Sequence, residues 1–309
     1  MVKEELSRQV STARHCRIAE IAALLSACGR MTADGILHFQ TENYAVVRKY
    51  FTLLTKTFNI DTAIAIRESC QMKKGKVYFV EIADPAQIET VLQGTKLSVD
   101  KCSGETLYAG NGLVIQQSCC KRAFIRGAFL ASGSISDPER SYHFEIVCTA
   151  EAKAHQLQDI IKTFGMEAKI VMRKKYYVVY IKEGSQIADI LKVMEAPISL
   201  MELENIRILK EMRGSVNRQV NCETANINKT VSAAVKQIED IVYIRDTIGF
   251  EGLPENLEEI AKARLERPEA TLKELGEGLD PPVGKSGVNH RLRKLSILAA
   301  DLKEKRSEQ

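Results

Sequence analysis

Between Lys285 and Lys294 the chain reads Lys-Ser-Gly-Val-Asn-His-Arg-Leu-Arg-Lys. At 100° per residue, Ser286, Asn289, His290 and Arg293 fall on one side of a helix, and Val288, Leu292, Leu295 and Leu298 on the other. The polar four suit the reading of base edges, because an Asn amide pairs bidentately with adenine and an Arg guanidinium with guanine. Lys285, Arg291 and Lys294, with Lys303, Lys305 and Arg306 beyond them, suit phosphates, which fix position rather than sequence. The bland alternative is a trihelical bundle with a solvated basic face. Charge segregation favours the first reading: residues 254–283 carry eight acids and four bases, residues 284–306 seven bases and two acids.

A second group of residues could bind metal or act as nucleophiles. Eight cysteines stand at 16, 28, 70, 102, 119, 120, 148 and 222, and five histidines at 15, 38, 143, 155 and 290. There is no CxxC pair and no HExxH, whereas zinc needs four converging ligands that usually come in close pairs. The spacing therefore predicts reduced core thiols, with no metal and no cofactor. Cys119 and Cys120, adjacent at the start of a helix, are a weak redox signal. Glycine-rich phosphate loops are absent.

The elements that must present the basic face follow from periodicity and caps. Pro254 opens a helix that runs to about Arg267, and Pro268 stops it. Thr271 to Glu274 is a capping box for a short helix through Leu279. Asp280 to Gly284 turns the chain, and Ser286 is positioned to cap the helix that carries the polar four. Two helices, a tight turn and a preceding support helix make a helix-turn-helix. Upstream, Leu200, Leu203, Ile206 and Leu209 mark a short amphipathic helix, and Arg213 to Gln219 reads as a polar, flexible break. A further helix from about Asn228 shows Val231, Val235, Ile238 and Val242 on one face, a stripe suited to docking on the next domain; Gly249 and Gly252 close it.

The first two thirds are an internal repeat. Residues 17–92 lie over 122–191, with Ile21 to Gly29 matching Ile125 to Gly133, Lys56-Thr57-Phe58 matching Lys162-Thr163-Phe164, and Val77 to Val80 matching Tyr177 to Tyr180. Alternation at Leu37 to Gln40 and His143 to Cys148 predicts strands, and helical spacing marks Tyr44 to Phe58 and Ala152 to Phe164. Each copy is an αββαββ(α) unit. Small residues, Ala22, Ala23 and Ala27 in one leading helix and Gly127, Ala128 and Ala131 in the other, predict that the two helices pack closely across a pseudo-twofold axis.

At these residues the chain resembles the LAGLIDADG homing endonucleases. The resemblance implies a saddle in which an acid before the final glycine of each leading helix holds divalent metal. Those positions here are Cys28 and Ser132, a thiol and a hydroxyl that cannot replace two carboxylates in metal-assisted phosphodiester cleavage. Asp34 and Asp137 lie just beyond, but Asp34-Gly35 and Asp137-Pro138 are turn sequences. The expectation is a nuclease fold without the nuclease. A second DNA surface could be formed by basic hairpins, with Arg67, Lys73, Lys74 and Lys76 in the first copy and Lys169, Arg173, Lys174, Lys175 and Lys182 in the second, the latter interleaved with Tyr176 and Tyr180. Lysine-rich hairpin tips also protect strand edges without any ligand.

The chain's 309 residues, 45% hydrophobic and 27% charged, suit two or three folded domains, and its net charge of +4 alone announces no partner. No run reaches the roughly 18 apolar residues of a spanning helix, and Met1 to Ser7 lacks an apolar signal core, so a cytoplasmic protein without membrane contact is expected. The fold class is α+β: a duplicated LAGLIDADG-like saddle in two half-domains (1–115 and 116–197), a helical linker (198–252) and an all-α trihelical helix-turn-helix domain (253–309). That plan is similar to the WhiA family of bacterial sporulation and cell-division regulators, most specifically at Lys121 to Leu130, Asn221 to Asn226 and Lys285 to Lys294. The resemblance implies a nucleoid-associated regulator that binds double-stranded DNA at promoters, with roles in cell division, chromosome segregation and sporulation. RNA polymerase or another regulator would be a second partner. A divergent magnesium-dependent nuclease and a partner-docking protein with secondary DNA binding are the alternatives.

Overall fold

A computed structural model describes residues 2–68, 76–99, 107–109 and 112–307. These form two compact units, Met1–Glu211 and Met212–Gln309. In the first, α1 (Val2–Arg8) precedes α2 (Arg14–Cys28), β1 (Gly29–Met31), β2 (Leu37–Thr41), α3 (Tyr44–Phe58), β3 (Ile64–Glu68), β4 (Lys76–Ile82) and α4 (Pro85–Thr95). A two-stranded ribbon of β5 (Leu97–Val99) and β6 (Leu107–Ala109) and a 3-10 turn at Gly112–Ile115 lead to the second copy. That copy comprises α5 (Ser118–Ser132), β7 (Gly133–Ile135), β8 (Phe144–Cys148), α6 (Glu151–Lys162), β9 (Lys169–Arg173), β10 (Tyr176–Ile181) and α7 (Gly184–Met194). The duplicated order expected from the sequence is present, and the two antiparallel sheets match strand for strand, β1-β2-β4-β3 and β7-β8-β10-β9.

Local chemistry sets the element ends. Asn43 and Asp84 cap α3 and α4 by accepting the amides of Ala45 and Ala86. In β8, Phe144, Ile146 and Cys148 alternate into the core. One core spans both copies, with Ile21, Leu24 and Leu25 of α2 and Ile125, Phe129 and Leu130 of α5 at its centre. A Cβ on Gly127 would stand 2.6 Å from the Glu20 carbonyl oxygen and 2.9 Å from Ala23 Cβ. Glycine is what lets the helix backbones approach so closely.

The crossing also carries charge that the repeat pattern did not reveal. Glu20 is fully buried beneath Lys49 at 2.8 Å and Arg126 at 3.1 Å, and Arg126 reaches Glu195 at 2.8 Å. Lys49 also donates to the carbonyls of Leu6 and Gln9. Burial lowers the Lys49 pKa against the pull of Glu20, whereas for Arg126 the two carboxylates outweigh burial and raise it. One buried acid, Glu20, therefore compensates two buried bases, and the exposed Glu195 meets Arg126 from the surface.

The helix α8 (Pro197–Ile248) carries the chain onward as 52 unbroken residues. The flexible break expected at Arg213 to Gln219 does not occur. That stretch holds no proline, and Gly214 costs only about 1 kcal/mol in a helix interior. Val231 and Val235 are exposed rather than docked; the apolar core of the second unit begins at Ile241, six residues beyond Val235.

The second unit continues through α9 (Glu255–Glu266), α10 (Leu272–Glu277) and α11 (Lys285–Ser307). Its core joins Ile241 and Ile244 to Leu257, Ile260, Leu275, Val288, Leu292 and Leu295. The Thr271 and Glu274 capping box is formed in both directions, at 3.3 and 2.7 Å. Arg264 is buried and anchors the turn between α9 and α10, donating to Gln237 Oε1 at 2.8 Å and the Ala270 carbonyl at 2.7 Å. A Cβ on Gly276 would fall 2.0 Å from the Val283 carbonyl oxygen, so glycine sets the tight approach of the turn. Ser286 lies inside the first turn of α11 rather than capping it, because the Val288 amide closes that turn on the Gly284 carbonyl at 3.0 Å. Lys303 and Lys305, expected in a tail, belong to the same helix.

Candidate nucleic-acid interface

In α11 the buried face is Val288, Leu292, Leu295 and Ala299, and it fixes the direction of the opposite one. Ser286, Asn289, His290 and Arg293 are all exposed, as are Lys285 and Lys294. The helix therefore presents two amide or hydroxyl groups, an imidazole and a guanidinium in its first two and a half turns, framed by two lysines. Such a row can place hydrogen-bond donors in a major groove from the helix's N-terminal half.

Two cations expected to meet phosphates are engaged inside their own unit. Arg291 is largely shielded, donating to the Asn256 carbonyl at 3.3 Å and lying 3.8 Å from Glu259. Lys303 pairs with the buried Asp240 at 2.9 Å, and this hydrogen bond raises its pKa. Charge in sequence says nothing of this, because Asp240 and Glu259 come from α8 and α9. Lys305 is exposed, and the side chain of Arg306 lies outside the described residues.

On the second sheet, the register pairs Tyr180 with Lys169 and Tyr176 with Arg173, so basic and aromatic side chains share the face turned away from the core. Lys175 lies over the Tyr176 ring at 5.5 Å and Lys182 over Tyr180 at 5.3 Å, with Lys174 in the intervening turn. That face is not uniformly basic. Glu145 accepts from Arg173 at 3.1 Å, Ser134 at 3.0 Å and His143 at 3.0 Å. Burial raises the Glu145 pKa, but the hydrogen bonds of His143 and Ser134 and the nearby charges outweigh it, leaving the carboxyl below its ordinary range. On the first sheet Arg67 stacks over Phe79 at 5.5 Å and His38 pairs with Glu81 at 2.9 Å. Lys76 is exposed at the start of β4, and Lys73 and Lys74 lie outside the described residues.

Cys28 and Ser132 close α2 and α5. Ser132 Oγ donates to the Val147 carbonyl at 2.7 Å, and Cys28 Sγ approaches the Ala131 carbonyl at 3.9 Å. Burial pushes the Cys28 thiol up to about 11. Asp137 accepts the Glu139 amide at 2.9 Å and lies 3.7 Å from Arg140, the work of a turn residue, and Asp34 sits exposed in the β1–β2 turn.

The thiols are not all dispersed as the spacing predicted. His15, Cys16, Cys119 and Cys120 converge, with one ligand atom from each within 4.8 Å of the others. They come from two helix starts far apart in sequence, which is why a search for close CxxC pairs misses them. The signal was in the repeat, where His15 lies over Cys119 and Cys16 over Cys120.

A duplicated LAGLIDADG-like unit followed by a helix-turn-helix unit defines a two-part class of protein, and among the described residues no helix is long and apolar enough to cross a membrane. Family profiles match it in three pieces: the WhiA N-terminal LAGLIDADG-like domain over residues 14–98, the WhiA LAGLIDADG-like domain over 121–213 and the WhiA C-terminal HTH domain over 216–299. The chain belongs to the WhiA family. It is 58% identical over 307 residues to the "Probable cell division protein WhiA" of Lachnoclostridium phytofermentans, covering 98% of each chain. With the protein of the same description from Alkaliphilus oremlandii it shares 46% identity over 310 residues, 98% of this chain and 97% of the other. The crystal structure of full-length DUF199/WhiA from Thermatoga maritima superposes with a TM-score of 0.59 at 25% identity, over 97% of this chain and 96% of that one.

Proposed function

We propose that this protein is a sequence-specific, DNA-binding transcription regulator that acts at promoters in the nucleoid and serves cell division. The observation that carries the reading is the exposed row Ser286, Asn289, His290 and Arg293 on α11, held in direction by a fully buried opposite face. In this reading the row reads bases, while Lys285, Lys294 and Lys305 hold phosphates. Arg291 and Lys303 stabilise the reader. The names of the relatives support the link to cell division. Chromosome segregation, sporulation in spore formers, and contact with RNA polymerase or another regulator follow only from family resemblance.

The duplicated unit has no catalytic part in this proposal, since a thiol and a hydroxyl supply no anionic oxygen for magnesium at the helix ends. Its sheet faces, where Lys169 and Arg173 stand beside Tyr176 and Tyr180, offer a second, weaker grip on the DNA backbone. The half-domains 1–115 and 116–197, the connector 198–252 and the reader 253–309 are the corresponding division of labour. The test is to sequence genomic fragments retained by the full-length protein in the presence of magnesium. Recovery of intact fragments sharing a short motif upstream of genes supports the reading. Fragments without a common sequence, or cut at a common site, oppose it.

A further inference from the structure

The chemistry left unused by DNA binding sits at the N-terminal end of the central helix pair, remote in sequence from the Cys28 and Ser132 end. His15 and Cys16 are the second and third residues of α2, and Cys119 and Cys120 the second and third of α5. His15 Nδ1 stands 3.2 Å from Cys120 Sγ, 3.4 Å from Cys16 Sγ and 4.0 Å from Cys119 Sγ. Around a tetrahedral zinc ion, with Zn–S ~2.3 Å and Zn–N ~2.0–2.1 Å, nitrogen and sulfur ligands lie roughly 3.6 Å apart. The three distances bracket that value.

We propose that these four residues form a structural zinc site, closed by one imidazole nitrogen and three thiolates, that clamps the two half-domains across their pseudo-twofold axis. Each copy contributes an adjacent pair from the same helical position, so a single ion ties both helix starts at once. Cys16 and Cys120 are buried against Ala19, Ala123 and Val114, whereas His15 and Cys119 are exposed, leaving a path of entry. The soft donor set selects zinc over magnesium or calcium.

Electrostatics support the assignment. Neither Ala13 nor Gln117, the residues before the two helices, makes a side-chain cap, so no capping side chain offsets the positive ends of the two helices here. Zinc with three thiolates carries one net negative charge, which the positive ends of two helix dipoles stabilise. Binding one zinc ion then forms three Zn–S bonds and releases three thiol protons to solvent.

The test uses the reduced full-length protein, titrated with cobalt(II) as a spectroscopic stand-in and with zinc in competition. One cobalt per chain should give the visible bands of a tetrahedral ion and thiolate charge-transfer absorption, both lost on addition of zinc. Cys119→Ser and His15→Ala, at exposed positions, should each abolish that spectrum while keeping the far-UV circular dichroism of the wild type, and Cys222→Ser should leave the spectrum intact. Absence of stoichiometric tetrahedral cobalt in the wild type would overturn the proposal. So would a spectrum that survives both ligand substitutions, or a disulfide among these cysteines in protein purified without oxygen.

Discussion

The Arg126 guanidinium lies along both carboxylate oxygens of Glu20, at 3.1 and 3.3 Å, with both side chains shut away from water. One residue comes from each copy of the repeat, so this fork spans the same helix crossing that Gly127 makes close. Removing one partner from a buried pair leaves a charge that is neither solvated nor compensated. Arg126→Met should therefore destabilise the first unit by about 3–5 kcal/mol. Chemical denaturation followed by circular dichroism measures it; a loss under about 1 kcal/mol would show that Lys49 alone suffices for Glu20.

One substitution should have opposite signs at two glycines. In Gly276→Ala the new methyl meets the Val283 carbonyl oxygen at 2.0 Å and Val288 Cγ2 at 2.9 Å, and backbone must shift. Overpacking of this kind costs on the order of 3 kcal/mol. In Gly214→Ala the new methyl meets only the tip of Arg218 at 3.6 Å, in the middle of α8. That change should stabilise the helix by roughly 0.5–1 kcal/mol. Thermal melts of both variants decide the matter, and a stabilised Gly276→Ala would contradict the described turn.

Alkaline pH should weaken the first unit through two thiols, the half-buried Cys28 and the buried Cys148. Burial raises Cys28 and Cys148 from 9.0 to about 11 in the folded chain. The folded state then holds protons that the unfolded state releases, so their contribution is complete below pH 9 and fades as pH rises towards 11. Lys153, buried beside Cys148 with its pKa lowered, works in the opposite direction and makes the comparison with variants necessary. Cys28→Ser combined with Cys148→Ala should flatten the decline of stability between pH 9 and 11. An unchanged decline would place its origin elsewhere.

Much of this architecture was written in local patterns. Helical spacing from Tyr44 to Phe58 places α3, alternation at Phe144, Ile146 and Cys148 places β8, and Thr271 with Glu274 starts α10. The polar row of α11 was readable because its buried partners repeat at helical spacing. What escaped depends on the third dimension. Asp240 and Glu259 claim Lys303 and Arg291 from other helices, and no period in α11 encodes that. His15 and Cys120 meet only because the two copies pack about a pseudo-twofold axis, which converts equal positions in a repeat into neighbours in space. Gly214 shows the reverse error: a glycine that reads as a breaker costs a helix interior only about 1 kcal/mol and does not interrupt α8.

The central claim, that α11 reads DNA sequence through Arg293 and its neighbours, is tested most directly by the affinity of wild type and Arg293→Ala for a recovered promoter fragment and a scrambled one, over a range of salt. Wild type should prefer the promoter, and its affinity should fall steeply with salt, as phosphate contacts require. Arg293→Ala should lose about 1–3 kcal/mol on the promoter, most of its preference, and little on the scrambled fragment. Equal affinity of the two proteins for both fragments, with no dependence on salt, would contradict the account.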